Sequence, residues 1–421
     1  MMNQLSVIGI LCGLAVPAAA ADLWDLPPLN YSETAASDPV ASLAASLAAG
    51  TRTIEGSTPL ERLRFVLKLL DVPAESQILV FSKTSKQNSL IHPGHPRAIY
   101  FNEHSYVGYV PGGLIEVIAH DPLLGVVFYH IDPGSSPRQP VIQRDNSDCL
   151  SCHGTARTES VPGMLVRSVY PDVSGQPVLP LGSFLTTQTS PINERWGGYY
   201  VTGHSSLPHL GNRTYQESVN RPPATASALA DLTDTIDTAP YLRPTSDVVA
   251  LMVLEHQCAL HNQFTAAAIQ YRRLHWLQKS LDPNADPATG SAGRQADHAA
   301  IAIVDSLLFK GEASLGEDGI EGDPAFQEQF TARFPKTPEG RSLAEFNLND
   351  RLFKHRCSFM IHSKPFAAMP DRVKSAVFQR LHAALQGPEA ATLSPHLKPQ
   401  ERARIADILR STVPGFAPDA P

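Results

Sequence analysis

RAIYFNEHSYVGYVPGGLIEVIAHDPLLGVVFYHI, residues 97–131, decides the fold. Short runs of β-branched and aromatic residues are separated by turn formers, VPGG and then DPLLG. Such runs suit a pleated, half-buried surface. Connections this short join antiparallel neighbours, because a parallel pair needs a crossover of a dozen or more residues. SQILVFS (76–82) precedes the stretch across the turn HPGHP, and PVIQR (140–144) follows it. The pattern predicts an antiparallel meander over 77–144. MLVRSVYP (164–171) and GGYYVTG (197–203) read as two more strands.

On either side of this unit the period changes. TPLERLRFVLKLLD (58–71) predicts a helix with Thr58 and Glu61 as a capping box and Pro59 at its first position. TSDVVALMVLEHQCALHNQFTAAAIQYRRLHWLQKSL (245–281) contains no Pro or Gly after its opening and predicts one long helix. PNADPATGSAG (284–294) reads as a break. HAAIAIVDSLLF, DPAFQEQFTARF, PDRVKSAVFQRLHAAL and KPQERARIADILR predict at least four further helices. The expected class is α+β, a β-rich unit before a helical C-terminal half. The expected divisions are a lead-in over 22–76, the β-rich unit over 77–205, an irregular connection over 206–244 and a helical region over 245–421.

NSDCLSCHG (146–154) carries the chemistry. C-x-x-C-H is the attachment signature of c-type haem. Its spacing puts both sulfurs on one side of a helical turn, with an imidazole next in line. Cys149 and Cys152 are the expected covalent anchors of one haem c per chain, and His153 the proximal iron ligand. Asn146, Ser147 and Asp148 are candidate caps for the short helix. A zinc site would need a second Cys/His pair at ligand spacing, and the other cysteines, Cys258 and Cys357, are far apart and single.

DCLSCHG resembles the haem-binding segment of c-type cytochromes. The blocks RWGGYYVTG, LMVLEHQ and RCSFMI resemble those of an uncharacterised group of exported bacterial cytochrome-like proteins, a likeness that implies a shared fold and no particular activity. The chain departs from the class I cytochrome pattern, in which the motif opens a small helical domain. Here a strand-rich stretch precedes it, in a setting closer to exported haem domains with PAS-like sheets.

The N-terminus fits export. LSVIGILCGLAV (5–16) is an apolar core followed by PAAAAD, so residues 1–21 read as a cleaved signal peptide, despite an n-region without Lys or Arg. The apolar run is short for a membrane span. The expected location is the periplasm, with no transmembrane anchor after cleavage. There the two lone cysteines, Cys258 and Cys357, are candidates for a disulfide. The net charge of −7, from 34 basic and 41 acidic residues, and the lack of basic runs exclude nucleic acid as a partner.

The distal iron position divides the functional readings. Met164 is a candidate by proximity. Met252 and His256 share a face of the long helix, and the buried ionisable group between them, Glu255, calls for a partner such as a histidine or Arg167. The helix is expected to form one wall of the haem pocket. His204 and His209 read as loop histidines, and His92 and His95 as turn residues. A strong second ligand points to electron transfer with a redox partner protein. An open position points to a haem-dependent oxidoreductase acting on peroxide or a small substrate, or to a redox or gas sensing module.

Overall fold

The structure is a computed structural model that describes residues 22–132, 142–216 and 221–416. The expected signal peptide, 1–21, lies outside the described residues. The fold is α+β.

The lead-in holds more helix than its Ala, Ser and Pro content suggests. Helix α1, Pro39–Ala48, starts where the Asp38 carboxylate accepts the N–H groups of Val40 and Ala41. Helix α2, Pro59–Leu69, has the expected capping box of Thr58 and Glu61. The meander follows as β1 (Ile78–Val80), β2 (Arg97–Phe101), β3 (Ser105–Tyr109), β4 (Ile115–Asp121), β5 (Gly125–Ile131) and β6 (Ile142–Asp145), with each strand beside its sequence neighbours. Register fixes two faces. Glu116 pairs with Gly108 and His130, and Ile118 with Tyr106 and Phe128, so these side chains share one face. The opposite face carries Tyr129, whose hydroxyl bonds to Asp38.

After the short helix α3, Leu150–His153, come β7 (Arg167–Val169) and β8 (Ser183–Leu185), a two-stranded ribbon. GGYYVTG is not a ladder strand. It lies along the β1 edge, where Gly198 C=O accepts from Phe81 and Tyr200 N–H donates to Leu79. The strand begins later, as β9 (Gly203–His209), and is flanked by β10 (Thr225–Leu229) and, after the first two long helices, β11 (Ile320–Glu321). His204 and His209 therefore sit on a strand. The expected irregular connection starts inside β9 and contains β10. Burial overrides the polar, Pro-containing look of this segment: the His209 ring is buried, stacks edge-on against Trp196 at 5.0 Å and bonds to Ser227.

Helix α4, Val248–Leu281, is the expected long helix, capped by Asp247. Its 34 residues make a rod about 50 Å long. Helix α5, Ser291–Leu307, packs on it, followed by α6 (Pro324–Ala332), α7 (Lys364–Ala367), α8 (Asp371–Gln386), α9 (Ala390–Leu393) and α10 (Pro399–Thr412). One apolar core runs from Trp24 to Phe416 and includes residues of both the sheet and the helices. No helix among the described residues is long and apolar enough to cross a membrane.

The core holds an unusual number of histidines as neutral rings. Burial pushes His256 down to about 3 and His120, His209 and His362 down to about 4, and lowers His104, His261 and His355 as well. An unfolded chain protonates these rings near 6.5, so they contribute stability that is lost as pH falls from there toward 4. Burial acts in the opposite sense on carboxyls. It raises Asp247 to about 6, Glu255 and Glu312 to about 7, and Asp38 above its usual range. Their contribution is present below pH 3.8 for the aspartates and 4.5 for the glutamates, and is lost as pH rises. With His153, which burial also lowers, eight histidines outweigh four carboxyls in the shared window, so stability should fall as the protein is acidified from pH 6.5 to 4.5. A melting temperature that is flat or rising over that interval would contradict this.

Candidate functional site

The C-x-x-C-H residues form the single turn α3 directly after β6. Cys149 holds the N-cap position, and no side chain caps α3, neither Asn146, Ser147 nor Asp148. Asp145, the last residue of β6, ties the turn that leads into it. Asp145 Oδ1 accepts the N–H groups of Ser147 at 2.9 Å and Cys149 at 3.2 Å. Cys149 is half-buried and Cys152 exposed, and both are free thiols. Burial, with the nearby Asp145 charge, pushes the Cys149 thiol up to about 12, so it keeps its proton.

His153 is held at one nitrogen. Nδ1 lies 2.9 Å from the Gly163 carbonyl oxygen. A carbonyl can only accept, so Nδ1 carries the hydrogen and Nε2 presents its lone pair. Burial lowers this ring's proton affinity and keeps it neutral. A metal-ligating imidazole needs this arrangement, one nitrogen donating to a carbonyl and the other free to coordinate. Phe128 packs against the ring at 5.2 Å between centroids.

The residues beside it enclose a cleft of about 990 Å³, counting its open mouth. Cys152 and His153 form one wall. The sheet face supplies Ile99, Tyr106 and Ile118, and the long helix supplies Leu254 and Cys258. The enclosed part of the cleft is about 150 Å³, below the roughly 300–1,000 Å³ of small-molecule and cofactor pockets. Three arginines, Arg97, Arg157 and Arg167, also line the cleft, against one carboxylate, Glu116. Arg97 is paired with Glu116 at 2.8 Å. Burial, and then the nearby Arg157 charge, depress the proton affinity of Arg167, and among the described residues no carboxylate pairs with either arginine. An apolar slot with two uncompensated cations beside it suits a flat, apolar dianion. Haem, with two propionates and two vinyl groups, is such a group; of its expected holders Cys152 and His153 line the cleft, while Cys149 sits one helical turn away outside the lining.

The expected distal ligands fare differently. The long helix does form a wall of the cleft, but through Leu254 and Cys258. Met252 and His256 do not line it. His256 is buried on another side of α4, with Nδ1 on Gln188 and Nε2 2.6 Å from Ser358 Oγ, stacked on Phe309. Both ring nitrogens are thus engaged. Glu255 pairs with Arg195, at 2.8 Å, and not with Arg167 or a histidine. Arg167 instead donates to Ser183. His261 turns to the sheet, where the Tyr106 hydroxyl lies 2.9 Å from Nδ1. Met164 does line the cleft, next in the chain to the carbonyl behind His153. His92 and His95 stack on each other in their turn. Cys258 and Cys357 are both buried and unbridged: Cys258 faces the cleft, hydrogen-bonded with Tyr106, while Cys357 precedes the turn Phe359–His362.

One residue of the site had no motif to mark it. Asn262, on the same helix stripe as Leu254 and Cys258, brackets Met164: its Oδ1 accepts the Met164 N–H and its Nδ2 donates to the Met164 carbonyl, both at 2.8 Å. It also packs over Gly163, where a Cβ would collide with it. The i, i+4, i+8 spacing of Leu254, Cys258 and Asn262 was the available signal. Asn262→Leu should cost at least about 2 kcal/mol in urea unfolding, because two buried backbone groups lose their partners. A loss under about 0.5 kcal/mol would mean the bracket carries no weight.

Comparison of the chain with models of protein families, with curated proteins and with solved structures finds no match.

Proposed function

We propose that the chain is an exported c-type cytochrome with one covalently bound haem, attached through Cys149 and Cys152 and ligated by His153, and that it carries single electrons in the periplasm to or from a separate redox partner protein. The observation that carries this is the His153 ring, fixed through Nδ1 to a carbonyl with Nε2 free beside two unbridged thiols. When bound, the haem iron supplies the one-electron chemistry. The chain's own part is to set the ring tautomer, keep the imidazole neutral and exclude water with apolar walls. Arg157 and Arg167 offset propionate charge. Cys152 is exposed, and a partner would approach a haem held there from that side.

A second reading is favoured by the position of His256 and Met252. With both directed away from the cleft, a haem bound there is left with Met164 or an open distal position. An open position suits small-ligand binding or peroxide chemistry, in a sensor or an oxidoreductase. Mature protein made with haem-attachment machinery should gain the mass of one haem. Its reduced visible spectrum should be unchanged by carbon monoxide if electron transfer is the role. A large carbon monoxide shift moves the assignment to the second reading, and protein without covalent haem rejects both.

A further inference from the structure

Cys149 and Cys152 meet different surroundings. Cys152 is exposed; among the described residues its sulfur's hydrogen-bond neighbour is the Ser151 hydroxyl at 4.0 Å, and Arg167 is its nearby charge. Cys149 faces a histidine. His130, on β5 and the same sheet face as Glu116 and Phe128, puts Nε2 3.8 Å from Cys149 Sγ. Behind it Asp145 Oδ2 lies 3.8 Å from His130 Nδ1, while the other oxygen of that carboxylate accepts the Cys149 N–H. Lys86 holds the Asp145 carboxylate from outside at 3.4 Å. The carboxylate thus touches both the imidazole and, through a side-chain hydrogen bond, the Cys149 thiol, and the imidazole beside the thiol is the base that an assisted sulfur nucleophile uses.

We propose that His130 is the general base for covalent haem attachment at Cys149, with Asp145 as its positioning residue, so that the chain promotes the first thioether itself. This rests on the haem assignment and goes beyond it. Thiol addition to a vinyl group is balanced without any co-reactant. The S–H bond and the vinyl π bond break. The sulfur bonds to the vinyl carbon next to the porphyrin ring, and the proton ends on the terminal vinyl carbon. No electrons leave or enter. His130 Nε2 takes the proton from Sγ as the C–S bond forms and gives it up to the vinyl group, while Asp145 faces the imidazolium in between. Cys152 has no such neighbour and reacts second. The same three donor atoms lie within 4.8 Å of one another, a spacing that a metal ion could also use. The Lys86 ammonium already on Asp145 favours proton transfer over cation binding.

The test uses the full chain made without haem, mixed anaerobically with reduced haem and chelator. Mass spectrometry follows covalent attachment, and absorption follows haem uptake. In a Cys152→Ala background, His130→Gln should slow attachment about 100-fold at unchanged uptake. Asp145→Asn, which keeps an oxygen for the two backbone N–H groups and removes the charge, should slow it less. In a Cys149→Ala background, His130→Gln should leave attachment at Cys152 unaltered. Equal rates with and without His130 in the first background overturn the proposal, as does parent protein that takes up haem and never bonds it. Parent protein that takes up no haem overturns the haem assignment along with it.

Discussion

Mature protein with Cys149→Ser and Cys152→Ser together should carry no covalent haem, a complete loss. Serine is close in size and leaves the Asp145 bonds to the backbone of Ser147 and residue 149 in place, so the fold is retained and only the sulfur chemistry goes. Each single variant should keep one thioether. Mass spectrometry of denatured protein reads all three outcomes. Haem that stays covalently bound in the double variant would sink the central assignment. His153→Ala complements it: the thioethers should form while the visible spectrum reports loss of a nitrogen ligand.

Arg195→Ala should be the most destabilising single change in the chain, by about 3–5 kcal/mol. Arg195 and Glu255 are both buried, at 1% and 0% side-chain exposure. The guanidinium also donates to the carbonyls of Gln188 and Ser190. Removing it leaves a carboxylate and two carbonyls without their donor. The penalty should depend on pH in a defined sense. Burial already raises Glu255 to about 7 despite Arg195. Without the cation its folded value rises further above the unfolded 4.5, so the variant is least impaired below pH 4.5 and worsens as pH rises. The double variant Arg195→Leu, Glu255→Leu should recover much of the loss, because exchanging a buried pair for apolar residues is often neutral. A pH-independent penalty under about 1 kcal/mol for Arg195→Ala would show that the pair is not a structural centre.

The meander was legible because its turns are short and its strands regular, and α4 was legible because nothing in it breaks a helix. GGYYVTG misled for a physical reason: it has strand composition and is buried, but it bonds along the β1 edge without becoming a ladder strand. Residues 203–209 were hidden by polar side chains that pair across a small sheet. At the site, Cys149, Cys152 and His153 are adjacent in sequence, so their spacing alone displayed them. Which face of α4 meets the cleft was not displayed. That helix is buried nearly all round over 248–269, so its apolar pattern has no preferred side. Met252 and His256 were chosen for their chemistry, whereas the cleft takes the stripe of Leu254, Cys258 and Asn262. Arg195 lies 60 residues from Glu255, and no local rule links them.

If a haem iron is held as proposed, the Asn262 bracket would tie its electronic state to the mechanics of the helical half. The carbonyl that orients the His153 ring belongs to Gly163, and the next residue is gripped by α4 from both sides of its peptide. A slight rotation or slide of α4 would tilt that carbonyl, turn the imidazole and change how strongly nitrogen donates to the metal. A binding event on the exposed end of the rod, near Trp276 and Leu281, could then be read as a shift in colour at the other, with no part of the pocket touched directly.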